Sequence, residues 1–374
     1  MEPNQGYPSP MPTLRTTTDA RWDCHGCGDC CRGYELGPVE PGIIQALVER
    51  DVAAAWAPAA AAPWFTTRRG PDGGDGLFLA YRDGACVFLR PDNLCAIHGL
   101  YGAAAKPGFC REYPFHVLDD PSGTAVVVRA SCSSLHRGVD TGTAVAEQAA
   151  TVDALPRAYA RRRFAPETVA ILPDVGLALP DWMPHEARLL ALLDDSSLEP
   201  EVAVARLRAV LFTLAQRPLR DVDARRARLA TGAVVEALRR LMGRAALDPD
   251  PSAEPHRVAF AQTAHALLER AQAHHGSPRP LTDDGRRYLL GLLRSFVLAK
   301  SWASVGSVAD GLGAFLVQTA VIRTAAPGDG PIDANAASQV IIPWTRMIEN
   351  PAITGVFRLA RPALWDAFAF EAGG

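Results

Sequence analysis

Four cysteines lie within one octapeptide near the start of the chain, Cys24-His-Gly-Cys27-Gly-Asp-Cys30-Cys31. Four more follow, Cys86, Cys95, Cys110 and Cys132, and the rest of the chain contains no cysteine. Thiolates spaced by two residues on a glycine-bearing loop can converge on one point, as a soft metal ion or an iron–sulfur cluster requires. All eight cysteines are therefore candidate metal ligands, and the first third of the chain is predicted to bind metal.

Eight thiols are enough for two sites, because four ligands complete a zinc tetrahedron or a [4Fe–4S] cubane. Cys24, Cys27 and Cys30 match the first three positions of the bacterial ferredoxin run, but Cys31 follows at once instead of a fourth cysteine before proline. Adjacent side chains usually point apart, so we expect Cys30 and Cys31 to face different sites, or one of them to be a buried neighbour. The choice between iron–sulfur and zinc stays open, with [4Fe–4S] preferred.

Three other side chains near the cysteines are candidates for supporting roles. His98 has zinc-knuckle spacing from Cys95 and is either a ligand or a surface group near the site. His25, inside the first loop, could donate a hydrogen bond to a thiolate sulfur and tune the site. Glu112 is an acid–base candidate only by its position in the chain, and a solvent-facing carboxylate is the favoured interpretation. A buried free thiol would explain Cys132 alone but not the octapeptide.

The segments that must position these thiols read as short strands and loops. Residues 1–21 are predicted to be a flexible leader, and Pro41–Val48 a short helix with proline near its start. Two hairpins are predicted, the first around an Asp-Gly turn. Their strands are Leu77–Tyr81 with Cys86–Leu89, and Phe115–Leu118 with Thr124–Val128.

From about residue 140 onward the apolar residues recur at helical spacing. The predicted helices are Glu201–Gln216, Asp223–Met242, Thr282–Trp302, Val305–Thr324 and Pro351–Phe370. We therefore predict a mainly α protein with a small Cys-rich α+β metal-binding module, built on β-hairpins, at its N-terminus. The predicted boundaries are a leader at 1–21, the module at 22–139 and a helical domain at 140–374.

The overall composition excludes several classes of partner. A chain of 374 residues with 48% apolar residues can bury a large core, and its net charge of −3 gives no electrostatic reason to expect nucleic acid. The basic runs Arg161–Arg163 and Arg225-Arg226 are interpreted as solvated helix faces. We find no apolar stretch approaching the ~20 residues of a bilayer span and no secretory signal, so we expect a cytosolic protein.

The cysteine motifs, taken in order, resemble the YkgJ-like cysteine-cluster family, which is described as zinc- or iron-chelating. The resemblance covers roughly residues 22–135. The matching elements are Cys24-x2-Cys27-x2-Cys30-Cys31-Arg32, Cys86-Val-Phe-Leu89, Leu94-Cys-Ala-Ile-His98, Lys106-Pro-Gly-Phe-Cys110-Arg-Glu-Tyr-Pro114 and Ser131-Cys132. The resemblance implies that the eight cysteines are the metal ligands, with Arg111 and Tyr113-Pro114 as framework around Cys110.

Several of these elements, followed by a long helical half, are especially similar to flagellin lysine-N-methylases. That resemblance implies S-adenosylmethionine as cofactor and a flagellin-like protein as substrate. The sequence contains no glycine-rich loop of a Rossmann-type methyltransferase. The alternative function is a non-catalytic zinc- or iron-binding scaffold or metal-handling module, because metal binding is itself a source of folding energy.

Overall fold

The structure is a computed structural model. It describes residues 14–17, 20–56, 63–69, 74–138, 141–148, 161–219, 224–249, 255–348 and 351–360. The end of the last predicted helix, beyond residue 360, and residues 1–13 of the predicted leader lie outside these ranges.

The N-terminal part of the chain contains short strands and helices. The strands are β1 (Leu14–Arg15), β2 (Phe65–Arg69), β3 (Asp75–Leu79), β4 (Tyr81–Arg82), β5 (Ala85–Cys86), β6 (Phe115–Asp120) and β7 (Gly123–Val128). The helices are α1 (Pro41–Glu49), α2 (Val52–Ala55), α3 (Ala96–Tyr101), α4 (Gly108–Glu112) and α5 (Leu135–Gly138). Single 3-10 turns cover Asp29–Cys31, Ala103–Ala105 and Val145–Gln148.

Among the described residues after Gln148, the structure is mainly helical, with strands β8 (Arg161–Arg163), β9 (Thr168–Leu172) and β10 (Val175–Ala178). The helices of this part are α6 (Leu179–Leu192), α7 (Pro200–Leu214), α8 (Ala224–Leu247), α9 (Pro255–Ala273), α10 (Asp283–Leu298), α11 (Val308–Ala325), α12 (Ala334–Ile348) and α13 (Pro351–Leu359), with a 3-10 turn at Ser301–Ser304. The mainly α prediction is confirmed. Within the described ranges, no helix combines the length and apolar character that a bilayer crossing requires.

Several predicted elements differ from those observed. The hairpin at Asp83-Gly84 forms, but its strands β4 and β5 are two residues long, and Leu77–Leu79 pairs instead with β2. Leu14–Arg15, within the predicted leader, pairs in parallel with β7. The prediction that Arg161–Arg163 lie on a helix face is wrong, because these residues form β8 and pair in parallel with β6. Arg225-Arg226 does lie exposed on α8, as predicted.

The sheet β1-β7-β6-β8 is buried on both faces. Successive side chains of a strand point to opposite faces. Val117 and Val126 therefore pack on the side that carries Trp22 and Cys132, whereas Leu118 and Val127 pack on the other. On that other face they meet Leu298 and Ala299, at the end of α10. The sheet thus packs toward Cys132 on one face and toward the end of α10 on the other.

A buried ionic cluster joins this sheet to the helices. Lys300 Nζ lies 2.6 Å from Asp120 Oδ2 and 3.1 Å from Glu186 Oε1, and all three side chains are at most 1% exposed. Arg15 pairs with both carboxylates, and its Nη1 lies 3.5 Å from Glu186 Oε1. Trp182 Nε1 donates to Glu186 Oε2 at 3.2 Å. Two cations thus balance two buried carboxylates that come from β6 and α6.

Replacing Lys300 with Ala should therefore destabilise the protein strongly. Removing one partner of a buried ion pair leaves an uncompensated charge and costs about 3–5 kcal/mol. The control is Arg217→Ala, because Arg217 and Asp174 form an exposed pair at 2.6 Å and such pairs contribute about 0–1 kcal/mol. Urea unfolding measures both free energies, and equal losses in the two variants would contradict a supporting role for the buried cluster.

Candidate metal centre

All eight cysteines line one cavity of about 430 Å³. The structure therefore brings together every thiol that the sequence nominated, although the most distant lie on separate strands, turns and helices. The described residues contain no group of three or more His, Cys, Asp or Glu side chains already arranged to hold a single metal ion. The thiols surround the cavity instead of converging on one point.

The first loop curls around the cavity because two of its residues adopt left-handed backbone conformations. Gly26 has φ of 62° and Gly28 has φ of 71°, a region that side chains other than glycine's rarely occupy. A Cβ at Gly28 would also lie 2.5 Å from Arg32 Nη1. The glycines between the cysteines thus turn the chain tightly enough for Cys24, Cys27 and Cys30 to line the same space.

Cys30 and Cys31 line the same cavity, and their assignment to separate metal sites stays a prediction. Their Sγ atoms are 4.0 Å apart. Both lie in the 3-10 turn Asp29–Cys31. With three residues per turn, neighbouring side chains diverge by about 120°, less than the opposite directions of a strand. Two adjacent thiols can therefore reach one space from this turn.

Hydrogen bonds fasten the first loop to the segments that carry Cys86 and Cys95. Arg32 Nη1 donates to Cys27 O at 3.2 Å, and Nη2 donates to Asn93 Oδ1 at 2.7 Å. The backbone N–H of Ala96, directly after Cys95, donates to Phe88 O at 2.8 Å. One guanidinium and one backbone bond thus hold three cysteine-bearing segments in register.

The last two cysteines are placed by α4 and by the end of β7. Cys110 lies in α4, whose first backbone N–H, that of Gly108, donates to Glu40 Oε1 at 2.9 Å. Tyr113 hydroxyl donates to Ser131 O at 3.0 Å, next to Cys132. These contacts aim both thiols at the cavity from the open end of the β6–β7 hairpin, where Phe115 pairs with Val128.

Apolar contacts and exposure distinguish two groups among the thiols, and Cys30 belongs to neither. We call the first group the inner thiols, because they belong to or pack against one apolar core with Phe88 and Ile97: Cys31, Cys86, Cys95 and Cys110. Cys132 belongs to a different core, with Trp22 and Tyr113 packed against it. We call Cys24, Cys27 and Cys132 the outer thiols; Cys24 is exposed, and Cys27 and Cys132 are electrostatic neighbours.

Burial keeps most of these thiols protonated. It raises the pKa of Cys86 to about 12, and it raises the pKa of Cys110 and of Cys132 as well. The hydrogen bond between Cys30 and Cys31 lowers the pKa of Cys30 to about 7 and, together with burial, raises that of Cys31. Cys30 is therefore the thiol of the adjacent pair that ionises first.

Lys106 is a cavity residue to which the sequence analysis gave no chemical role. At Cys30, the hydrogen bond with Cys31 lowers the pKa most, and the positive charge of Lys106 lowers it further. At Cys110, burial raises the pKa, and the charge of Lys106 opposes that rise in part. Lys106 lines the cavity with both cysteines. The signal available in the sequence was its nearness to Cys110, four residues away, since Lys106 has an extended backbone and precedes α4.

The supporting candidates fall in different places. Glu112 is only 6% exposed and lies 3.3 Å from Arg129, so the solvent-facing interpretation is wrong. His98 is exposed on α3 and lines the cavity. His25 is exposed, and its backbone N–H donates to Ser134 Oγ at 3.3 Å. Its proposed bond from the ring to a thiolate stays a prediction.

Comparison with known proteins supports a metal-binding cysteine cluster. Residues 23–133 match the family model CxxCxxCC, described as "Putative zinc- or iron-chelating domain". The match begins just before Cys24 and ends just after Cys132, so it contains all eight cavity cysteines. No curated protein and no solved structure matches the chain.

Metal binding should release protons and weaken as the pH falls. Cys31, Cys86 and Cys110 carry protons at neutral pH because their pKa values are raised, whereas a metal binds the thiolate. We expect roughly three protons to be released per ion bound at these thiols, with tighter binding at higher pH. Zinc titrations of reduced, metal-free protein in two buffers of different ionisation enthalpy measure this number.

The matched variant for this measurement is Cys86→Ser, which should release about one proton fewer. Binding that releases no protons, or an affinity that stays constant between acidic and alkaline pH, would contradict ligation by these buried thiols.

Proposed function

We propose that this protein binds a [4Fe–4S] cluster in the thiol cavity, with the inner thiols as its ligands. The observation that carries the proposal is that eight thiols line one cavity, four of them packed on a single apolar core. In a cubane each thiolate binds a different iron, so the cluster suits ligands that surround a space. A single zinc ion instead requires four ligands about 2.0–2.3 Å from one point.

The chemistry of the donors fits such a cluster. When bound, an iron–sulfur cluster supplies one-electron redox chemistry at a potential set by charge, hydrogen bonds and exposure. Lys106 places one positive charge near Cys30 and Cys110, where thiolate charge would accumulate. Phe88 and Ile97, each 1% exposed, provide an apolar wall on the inner side.

The outer thiols support the alternative function, a non-catalytic zinc- or iron-binding scaffold or metal-handling module. Cys24 is exposed where the cavity reaches the surface, so an ion held there could exchange with solvent. With Cys30 between the two groups, the outer thiols could form a second, more open site. A cytosolic location belongs to the same proposal, because all eight cysteines are free thiols and reducing compartments preserve thiols.

A second candidate is the methyl transfer that the family resemblance implies. The cavity volume of about 430 Å³ falls in the range of small-molecule pockets, ~300–1,000 Å³, and the exposed His98 lies at its edge. On this proposal S-adenosylmethionine binds in the part of the cavity that the metal leaves open, and a lysine of a flagellin-like protein is the substrate.

Protein purified without oxygen should be brown and should contain iron and acid-labile sulfide. Its broad visible absorbance should bleach with dithionite, since thiolate-bound clusters are coloured and redox-active. The measurements are the visible spectrum and the number of iron, sulfide and zinc atoms per chain. A colourless protein with stoichiometric zinc and no sulfide would overturn the cluster and favour the zinc module.

Two variants of cavity residues serve as the matched pair for this experiment. Cys110→Ser should lose the cluster, because it removes an inner thiol, whereas His98→Ala should retain it, because His98 is exposed. Equal loss of iron in both variants would identify His98 as a ligand and contradict the assignment to the inner thiols.

Binding of S-adenosylmethionine should require an intact metal centre. Since the sequence contains no glycine-rich fingerprint for the cofactor, its expected anchor is the metal or the cavity that the metal shapes. Calorimetric titration of metal-loaded and metal-free protein tests this dependence. Equal binding to both forms would separate the metal from the chemistry, and binding to neither would favour the non-catalytic module.

A further inference from the structure

Arg346 lies in helix α12, far in sequence from every cysteine, yet it contacts the loop that carries Cys30 and Cys31. Its Nη2 donates to Asp29 O at 3.4 Å. Its Cζ lies 5.0 Å from the centroid of the Tyr34 ring, within the range of a cation–π interaction. One guanidinium thus contacts the chain on both sides of the adjacent cysteines.

The loop has a glycine where the guanidinium approaches it. A Cβ at Gly33 would lie 2.1 Å from Arg346 Nη1 and 2.4 Å from Cζ. These separations are too short for any side chain to fit without moving the arginine. Gly33 therefore allows the planar guanidinium to pack directly against the backbone that follows Cys31.

Arg346 contacts two residues that form part of the cavity wall. Asp29 and Tyr34 line the cavity, whereas Arg346 is not among the described residues that line it. The Tyr34 ring lies 5.3 Å from that of Tyr113, whose hydroxyl donates to Ser131 O beside Cys132. Helix α12 also packs on α5, which directly follows the Cys132 segment. The helix thus supports the two cysteine segments that lie farthest apart in the sequence.

We infer that Arg346 is a positioning residue of the metal centre and that α12 couples metal binding to the helical part of the protein. The inference rests on the proposed function. Glycine restrains the backbone less than other residues do, and two glycines precede Cys30 in the first loop. The contacts of Arg346 with Asp29 and Tyr34 add restraint on both sides of Cys30 and Cys31. Residues that orient metal ligands typically change metal affinity by about 10–100-fold.

Metal release to an excess chelator is the first test, using the wild-type protein with the metal that it carries. Arg346→Gln should release metal about tenfold faster or more. Arg346→Lys, which keeps the charge but loses the planar guanidinium, should release metal at a rate between those of the wild type and Arg346→Gln. The control is Arg358→Gln, an exposed arginine of α13 whose Nη2 bonds to Ser304 O at 2.9 Å, and it should match the wild type.

Thiol alkylation in the metal-free protein is the second test, and it does not depend on which metal binds. Mass spectrometry should show faster alkylation of Cys30 and Cys31 in Arg346→Gln, with Cys86 unchanged, because Cys86 is buried on β5, whereas the guanidinium contacts the chain at Asp29 and Tyr34. Equal acceleration at Cys86 would indicate general loosening and overturn the positioning role. Unchanged rates at Cys30 and Cys31 would overturn it as well.

The two tests separate the two proposals. If the wild-type protein carries no metal, the proposed function fails, while the alkylation rates still decide whether Arg346 positions the loop. If metal is present and is released equally fast from the wild type and from Arg346→Gln, the inference fails while the proposed function stands.

Discussion

The arrangement of this protein depends on the burial of the β6–β7 hairpin between two apolar layers. One face packs toward the thiols and the other toward the end of α10, so the strand residues are apolar on both sides. Asp120, at the end of β6, is nevertheless a fully buried carboxylate, and Lys300 and Arg15 compensate its charge. A buried charge is tolerated only when it is paired. The pairing in this cluster therefore restricts how the sheet can lie relative to the helices.

The thiol cavity follows from that placement. The hairpin carries α4 before it and the Cys132 segment after it, which places Cys110 and Cys132 at neighbouring edges of one space. The first loop then closes the cavity through Arg32 and Arg346, one contacting the Cys95 turn and the other belonging to α12. The cavity is therefore assembled from local loops but held by contacts between distant segments.

Protonation adds a second constraint. Apolar walls make a thiolate unfavourable, so most of the buried thiols keep their protons without metal. The same walls raise the strength of any interaction between thiolates and a positive centre, because the local dielectric constant is low. A site of this kind favours a cationic occupant of high charge, and Lys106 offsets part of the thiolate charge that remains.

The sequence by itself determined which residue types could bind metal and the local turns that carry them. Cysteine spacing and the intervening glycines predicted the first loop, and the Asp-Gly and second-hairpin signals were correct because turn residues act locally. The tertiary structure decided how the thiols group, that Cys30 and Cys31 share one cavity, and that Glu112 is buried. It also decided the partners of Lys300 and Arg346, which are Asp120 and Asp29. Contacts between residues so far apart in the sequence depend on packing and charge compensation, which leave no periodic signal in a single sequence.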